Sequence, residues 1–102
     1  METTLERALD DAFAAPGVSG VACVSSSGFL IASRGHVPLE DPSYVVKVMK
    51  SAAELNPSSQ DPPVVGLEGK GVTFLLSEKD GVTVIICKKK SIGSHINHGS
   101  SV

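Results

Sequence analysis

The chain has 102 residues, 41% of them hydrophobic and 20% charged, which is typical of one folded domain and excludes a disordered or multi-domain chain. Aromatic residues make up only 4% and the formal net charge is -2. The chain therefore lacks the stacking platform and the basic surface of a nucleic-acid-binding domain.

The first predicted element is an amphipathic helix over residues 3–14. Thr3 and Glu6 have the spacing of a capping box at its start, and Pro16 followed by Gly17 ends it. Apolar residues recur at helical intervals along this segment, which predicts one buried face: Leu5, Ala8, Leu9, Ala12 and Phe13.

Two strands are predicted next, at residues 18–25 and 29–33. Four consecutive apolar residues begin at Val21 in the first of them, which is typical of a strand covered on both faces. The residues between the two strands end in Gly28, a turn former. The pattern predicts a hairpin whose first strand lies in the middle of a sheet.

A second helix is predicted from Pro42 to Leu55, with Asp41 as its cap. Its apolar residues cover roughly 200° of the helix circumference, twice the stripe that packing on one sheet needs. We expect the excess apolar surface to contact another subunit. The apolar residues of this arc are Tyr44, Val45, Val46, Val48, Met49, Ala52, Ala53 and Leu55.

The last predicted elements are a proline-led edge strand at 63–68 and a hairpin at 72–77 and 82–87, joined by a polar turn at 78–81. Val84, Ile85 and Ile86 do not alternate with polar residues, so we expect both faces of the last strand to be covered. Residues 1–89 are predicted as one domain, and residues 90–102, which have no period, as a disordered tail.

No export or membrane segment is visible in the sequence. The first residues lack a basic region followed by an apolar run, no apolar stretch is long enough to span a bilayer, and the common lipidation motifs are missing. We expect a cytoplasmic chain that reaches a membrane only through partners.

Histidines and cysteines are the residues with metal-binding or catalytic chemistry. His36 has no partner at a ligand spacing, and His95 and His98 lie in the predicted tail. Cys23 and Cys87 lie in apolar strands, whereas a catalytic thiol needs an exposed electropositive setting. We expect buried reduced thiols, no metal, no cofactor and no enzymatic activity.

Three further groups have a functional and a simpler interpretation. The segment from Gly66 to Gly71 resembles a phosphate loop, but its spacing is short and Lys70 is followed by Gly, so we expect a connection between strands. Residues 88–90 are lysines, too few for the usual lipid-binding cluster. Arg34 either binds a partner's anionic group or is a strand end held by local hydrogen bonds.

The order and spacing of several short motifs resemble the roadblock family of dynein light-chain-like proteins, and within it the subunits of the Ragulator complex. The resemblance extends from residue 1 to about residue 89. It is based on Met1-Glu2, Thr4-Leu5-Glu6, Gly20-Val21-Ala22-Cys23, Ser27-Gly28, Arg34-Gly35, Pro63-Val64-Val65, Leu67-Glu68 and Asp80-Gly81-Val82-Thr83-Val84.

The resemblance implies a roadblock-like α/β fold of the α+β type, in the order α-β-β-α-β-β-β. Its five-stranded antiparallel sheet lies between helices. Two roadblock chains pair through the long helix and the edge strand beside it. The residues predicted for this partner interface are Tyr44, Val45, Val46, Met49, Ala53, Val64, Val65 and Leu67.

The resemblance also implies a function. The chain would be a non-enzymatic scaffold subunit that forms a heterodimer with another small roadblock subunit. A lipid-anchored scaffold subunit would join this pair to a second roadblock pair on the lysosomal surface, where Rag GTPases are recruited and amino acids activate the target-of-rapamycin kinase complex. The alternatives are a self-pairing roadblock regulator of a small GTPase and, more remotely, an enzyme that uses one of the cysteines.

Overall fold

Five strands form one antiparallel sheet in the computed structural model, which describes residues 4–55, 57–58, 60 and 63–90. The strand order is β2-β1-β5-β4-β3, so β2 and β3 are the two edges. The predicted element order and the antiparallel sheet between helices are confirmed. The elements are α1 (Thr4–Phe13), β1 (Val18–Ser25), β2 (Leu30–Gly35), α2 (Pro42–Leu55), β3 (Val65–Glu68), β4 (Val72–Lys79) and β5 (Val82–Lys89).

The turn between β4 and β5 is shorter than the predicted segment 78–81. The strands continue to Lys79 and resume at Val82, which leaves a two-residue loop. Asp80 has a φ of 54° and Gly81 a φ of 80°. Positive φ at both central positions is typical of a type I′ turn, whose twist matches that of the flanking strands. Residues 78 and 79 therefore belong to strand β4 and not to the turn, although their side chains are polar.

Other element bounds differ from the predicted ones by one or two residues. α1 is shorter than 3–14, β2 extends two residues beyond 29–33, and β3 lacks the first two residues of 63–68. Pro63 has no N–H to donate to a ladder, which agrees with its position before the strand. Thr3 of the predicted capping box and residues 91–102 of the predicted tail lie outside the described residues, so the domain boundary at residue 89 stays a prediction.

The two helices cover opposite faces of the sheet. Alternating side chains of each strand point to opposite faces, so neighbouring residues of β1 enter different cores. Val21 and Cys23 pack with Leu9 of α1. The core beneath α2 is larger, and its buried residues are Ala22, Val24, Val45, Met49, Leu76 and Ile85.

The expected cover on both faces of β5 is complete on one face and partial on the other, where Val84 and Ile86 pack against the α1 core. Ile85 is buried beneath α2, whereas Val84 and Ile86 on the opposite face are only half-buried. The reason is that α1 has ten residues and packs mainly on β1 and β2. The part of that face formed by β4 and β5 is consequently less protected from water.

The start of α2 is fixed by Asp41, as the sequence predicts. Its Oδ1 accepts hydrogen bonds from the Ser43 side-chain hydroxyl at 2.7 Å and from the Ser43 backbone N–H at 3.0 Å. Both bonds lower the pKa of the Asp41 carboxyl, and the bond from the hydroxyl has the larger effect. The cap supplies an acceptor for a helix N–H that has no partner within the helix.

Candidate partner-binding surface

The inner side of α2 belongs to the chain's own core. Val45 is 1% exposed and Met49 is also buried, and both pack against β-strand residues beneath the helix. Two of the eight residues predicted at the partner interface are therefore occupied by contacts within the chain. Any partner must bind the flanks or the outer side of the helix.

One flank of α2 carries an exposed apolar stripe of Tyr44, Val48 and Leu55. At 100° per residue, these three positions lie within about 40° of one another around the helix axis. Leu55 is 88% exposed, Tyr44 is exposed and Val48 is half-buried. The predicted apolar arc includes Val48 and Leu55, but the eight residues predicted at the interface do not, although their spacing from Tyr44, four and eleven residues, places them on its side of the helix.

The stripe lies on the flank that faces β4 and β3. The opposite flank near the helix start is marked by Ser43, because a Cβ on Gly28 would come within 2.9 Å of the Ser43 Cβ. Gly28 lies in the turn between β1 and β2, at the β2 side of the sheet. The buried residues of α2 separate the two flanks, so the stripe points toward the other edge of the sheet.

That other edge is β3, which pairs with β4 and with no second strand among the described residues. Val65 and Leu67 are half-buried on the α2 side of the sheet, opposite Leu76 and Phe74. Val64, just before the strand, is 72% exposed. We call the stripe and these three residues the β3-side surface: Tyr44, Val48, Leu55, Val64, Val65 and Leu67.

Val46 and Ala53 lie on the other flank of α2, about 180° from the stripe. Val46 is half-buried and packs against the core, and Ala53 is exposed. The structure does not bring these two residues together with the β3-side surface. The structure does not test the sequence prediction that these two residues contact a partner, and the position of the stripe leads us to expect the partner on the other flank.

An ion pair fixes the far end of β3. Lys90 Nζ lies 2.7 Å from Glu68 Oε1, and the Thr73 hydroxyl donates to Glu68 Oε2 at 3.1 Å. The hydrogen bonds from Lys90 and Thr73 both lower the pKa of the Glu68 carboxyl, and the one from Lys90 has the larger effect. These contacts connect the edge strand to β4 and to the residue that follows β5.

Acidification is expected to loosen the end of β3. The pKa of the Glu68 carboxyl is lower in the folded chain than in the unfolded chain. Ionised Glu68 therefore stabilises the fold fully at pH values above its unfolded-state pKa, and this stabilisation is lost as the pH falls through its folded-state pKa. Hydrogen-exchange protection factors of the Leu67 and Gly69 amides, which bond to β4, should fall in the wild type when they are measured from neutral to acidic pH. In Glu68→Gln they should already be low and change less, and an identical pH response in both chains would contradict the assignment.

The two cysteines are buried reduced thiols in the structure. Cys23 packs in the α1 core, and Cys87 is also buried. Burial raises the pKa of the Cys23 thiol, which disfavours the nucleophilic thiolate. This environment is the opposite of the one that activates a catalytic cysteine.

Neither cysteine should react with an excess of a maleimide in the folded chain within minutes. Both should react fully once denaturant unfolds the chain, because the thiols then reach solvent. Mass spectrometry of the intact chain counts the labels in the two states. Rapid labelling of the folded chain at Cys23 would show that this thiol is more accessible than the structure indicates.

Other candidate residues have simple positions. His36 is exposed in the link between β2 and α2, and the described residues contain no group of three or more His, Cys, Asp or Glu arranged to hold a metal ion. His95 and His98 lie outside them. Only the second half of the segment from Gly66 to Gly71 is the predicted connection: Gly66 lies within β3, residues 69–71 connect β3 with β4, and the Gly69 N–H donates to the Val72 carbonyl at 2.9 Å.

Arg34 matches the simpler of its two interpretations. Its Nε lies 2.9 Å from Asp10 Oδ1, and its Nη1 donates to the Ser33 carbonyl at 3.0 Å. The guanidinium thus connects the end of β2 to α1. The exposed Lys88 and Lys89 end β5. Within the described part of the chain, no helix has the length and apolar character needed to cross a bilayer.

Comparison with known families gives a match over most of the chain. The family model of Ragulator complex protein LAMTOR5 matches residues 1–88. A LAMTOR5 homologue from Nematostella vectensis is 31% identical over 91 residues, which are 89% of this chain and 100% of the relative. Hepatitis B X-interacting protein, which the sequence motifs also resemble, is another name for LAMTOR5. The resemblance to the Ragulator branch is confirmed.

Solved structures confirm the roadblock-like fold. Myxococcus xanthus MglB superposes with a TM-score of 0.68 at 19% identity, covering 89% of this chain and 81% of MglB. A roadblock/LC7 domain from Streptomyces avermitilis gives a TM-score of 0.58 at 14% identity, covering 85% of this chain and 79% of that domain. At these identities the likeness concerns the fold alone.

Proposed function

The chain belongs to the Ragulator complex protein LAMTOR5 family, and from this we propose that it is a non-enzymatic scaffold subunit that pairs with another small roadblock subunit. The observation that carries this proposal is the β3-side surface. It combines an exposed apolar helix stripe with an edge strand that has no second partner among the described residues. Exposed apolar surface beside an open sheet edge is typical of subunit interfaces.

The helix stripe would supply the apolar centre of the interface. Leu55 and Tyr44 are large and exposed, and Val48 lies between them on the same flank. Burial of such side chains against a partner is worth roughly 25 cal/mol per Å² of apolar area. A partner helix placed beside α2 would remove this stripe from water without displacing Val45 or Met49 from the chain's own core.

The edge strand β3 would set the orientation of the partner. In the pairing with β4, the Gly69 N–H bonds to the Val72 carbonyl, so the ladder alternation turns the backbone groups of Gly66 and Glu68 away from β4. A partner's edge strand can pair with these groups and extend the sheet. Main-chain bonds at this edge fix the register that the helix contact alone would leave open.

Membership of the Ragulator complex supports the wider role. The pair would join a second roadblock pair through a lipid-anchored scaffold subunit on the lysosomal surface. The assembly would recruit Rag GTPases and so support amino-acid-dependent activation of the target-of-rapamycin kinase complex. The chain would contribute surface to this assembly, since its buried thiols are not placed for nucleophilic chemistry.

Replacement of the LAMTOR5 subunit in cells tests this role. Cells that lack their own LAMTOR5 would express this chain, and the lysosomal fraction of Rag GTPases and the phosphorylation of a target-of-rapamycin substrate would be measured after amino-acid readdition. We expect both to recover. Stable expression and incorporation into the Ragulator complex without any recovery would overturn the proposed role in Rag recruitment.

A further inference from the structure

The outer edge of β2 combines unpaired backbone with exposed apolar side chains. β2 pairs with β1, and no other described strand pairs with its second side. Phe29, just before the strand, is 72% exposed, and Leu30 and Ile31 at its start are 53% and 47% exposed. Three consecutive exposed apolar residues at a sheet edge favour pairing with another chain, and proteins ordinarily prevent this with charges, prolines or covering segments.

The ladder between β1 and β2 shows which backbone groups are free. The His36 N–H donates to the Ser19 carbonyl at 3.0 Å, so these two residues form a hydrogen-bonded pair. Such pairs alternate with non-bonded pairs along an antiparallel ladder. Ser33, opposite Ala22, and Gly35, opposite Gly20, are in non-bonded pairs. Their N–H and C=O groups therefore point away from β1, toward the open edge.

The one charged residue of β2 does not block this edge. Arg34 lies on the α1 face, where its Nε contacts Asp10 at 2.9 Å. Its Nη1 reaches the Ser33 carbonyl at 3.0 Å, which agrees with that carbonyl facing outward. A carbonyl oxygen has two lone pairs, so this bond leaves it able to accept from an added strand.

A cavity lies beside the edge, on the α2 face of the sheet. It has a volume of about 230 Å³, and its walls include Leu30, Val37, Leu39 and Pro42. Ser33 and Gly35 also line it, so it opens next to the free backbone groups. Every second side chain of an added strand would point to this face of the sheet.

We propose that the outer edge of β2 binds an extended peptide segment of a partner chain, which adds as a sixth strand and inserts one aliphatic side chain into the cavity lined by Leu30, Val37 and Leu39. Main-chain hydrogen bonds to Ser33 and Gly35 hold the segment, and the cavity selects the side chain. This site is at the opposite edge from the β3-side surface, so it is independent of the proposed roadblock pair.

A flexible segment fits this edge better than the rigid edge of a second folded copy. The register between β1 and β2 shifts at Cys23 and Val24, which leaves Ile31 as an extra residue without a partner. Such a bulge bends the strand and limits regular pairing to the residues after it. A short extended segment can follow the bend and still place a side chain in the cavity.

The probe is a fluorescein-labelled peptide, Lys-Thr-Leu-Thr-Leu-Thr-Lys, titrated into the full-length chain and followed by anisotropy. Two further versions carry backbone N-methyl groups, either on the leucines or on the threonines. Only alternate N–H groups of an added strand face its neighbour. We therefore expect one N-methylated version to lose binding at least about tenfold and the other to keep it, since lost backbone bonds cost this much.

Two variants at one position locate the site. Ser33→Pro removes the outward N–H and should weaken peptide binding about tenfold, whereas Ser33→Ala keeps this N–H and should bind within about twofold of wild type. Circular dichroism verifies that both fold. Amide NMR shifts of the wild-type chain give a readout that needs no variant, with the largest changes expected at Ser33 and Gly35.

Several results would overturn the proposal. The first is that the peptide does not bind. The second is that both N-methylated peptides lose the same amount of affinity. The third is that the largest amide NMR shift changes lie away from β2. Self-association of the chain that Ser33→Pro removes would assign the edge to a second copy instead. None of these outcomes bears on the β3-side surface, whose pairing is measured with a roadblock partner.

Discussion

Leu55→Asp is expected to weaken binding of a roadblock partner by about a hundredfold, while Ala53→Asp leaves it within about twofold. Leu55 is the most exposed residue of the apolar stripe, at 88%, and a carboxylate there would be buried without a partner. Ala53 lies in the same turn of α2, but on the other flank.

The two variants are closely matched. Both place the same charge in the last turn of α2, so their effects on helix stability through the helix dipole are alike. Isothermal titration with a roadblock-type Ragulator subunit measures the two affinities, and thermal melting of each lone chain controls for folding. Equal losses of affinity would extend the interface to Val46 and Ala53, and unchanged binding of Leu55→Asp would remove the stripe from it.

Leu76→Ala is expected to destabilise the fold by about 3 kcal/mol, a decrease in melting temperature on the order of 15 °C. Leu76 is fully buried at the centre of the α2 core, where it lies opposite Val65 of β3 and Ile85 of β5. Its truncation leaves a cavity that the surrounding strands cannot close.

The neighbouring Leu75 is the control for this change. It has the same side chain on the same strand, but it is half-buried on the opposite face, where it lies opposite Ile86. Leu75→Ala should cost about 1 kcal/mol, since less surface leaves water and no closed cavity forms. Urea unfolding followed by circular dichroism compares the two. Equal costs would mean that both faces of β4 are equally packed, contrary to the structure.

The sequence predicts most of the fold because its local patterns agree with one another. The period of the apolar residues distinguishes the helices from the strands, and the Asp41-Pro42 pair places the start of α2 correctly. The short loop at Asp80 and Gly81 was missed because Glu78 and Lys79 are polar. Their backbone pairs with Val82 and Thr83 all the same, since a ladder hydrogen bond does not depend on the side chain.

The candidate surface was harder to predict, because a wide apolar arc does not show which part of it faces the sheet. The sequence predicts Val45 and Met49 at the partner interface, yet they lie at the middle of the buried side of α2. The distinction between Tyr44 and Val46 depends on the contact of Ser43 with the β1–β2 turn. That contact joins residues distant in sequence, and no periodicity within α2 contains it.

The exposed edge of β2 was also not predicted. Phe29, Leu30 and Ile31 have the composition of a buried strand, and the sequence alone places them inside a hairpin. They are exposed because β2 is the last strand of the sheet: α1 packs against its other end, near Arg34, and α2 on the opposite face packs mainly on β1, β4 and β5. Strand order is a property of the whole chain, so the edge becomes visible only in the structure.

The solution mass of the purified chain tests the central claim most directly. Light scattering over a dilution series would be measured for the chain alone and for its mixture with a roadblock-type Ragulator subunit. We predict a one-to-one complex that persists on dilution, with the lone chain self-associating only weakly. A stable monomer or a stable homodimer that ignores every such subunit would contradict the assignment of the β3-side surface to a heterodimer.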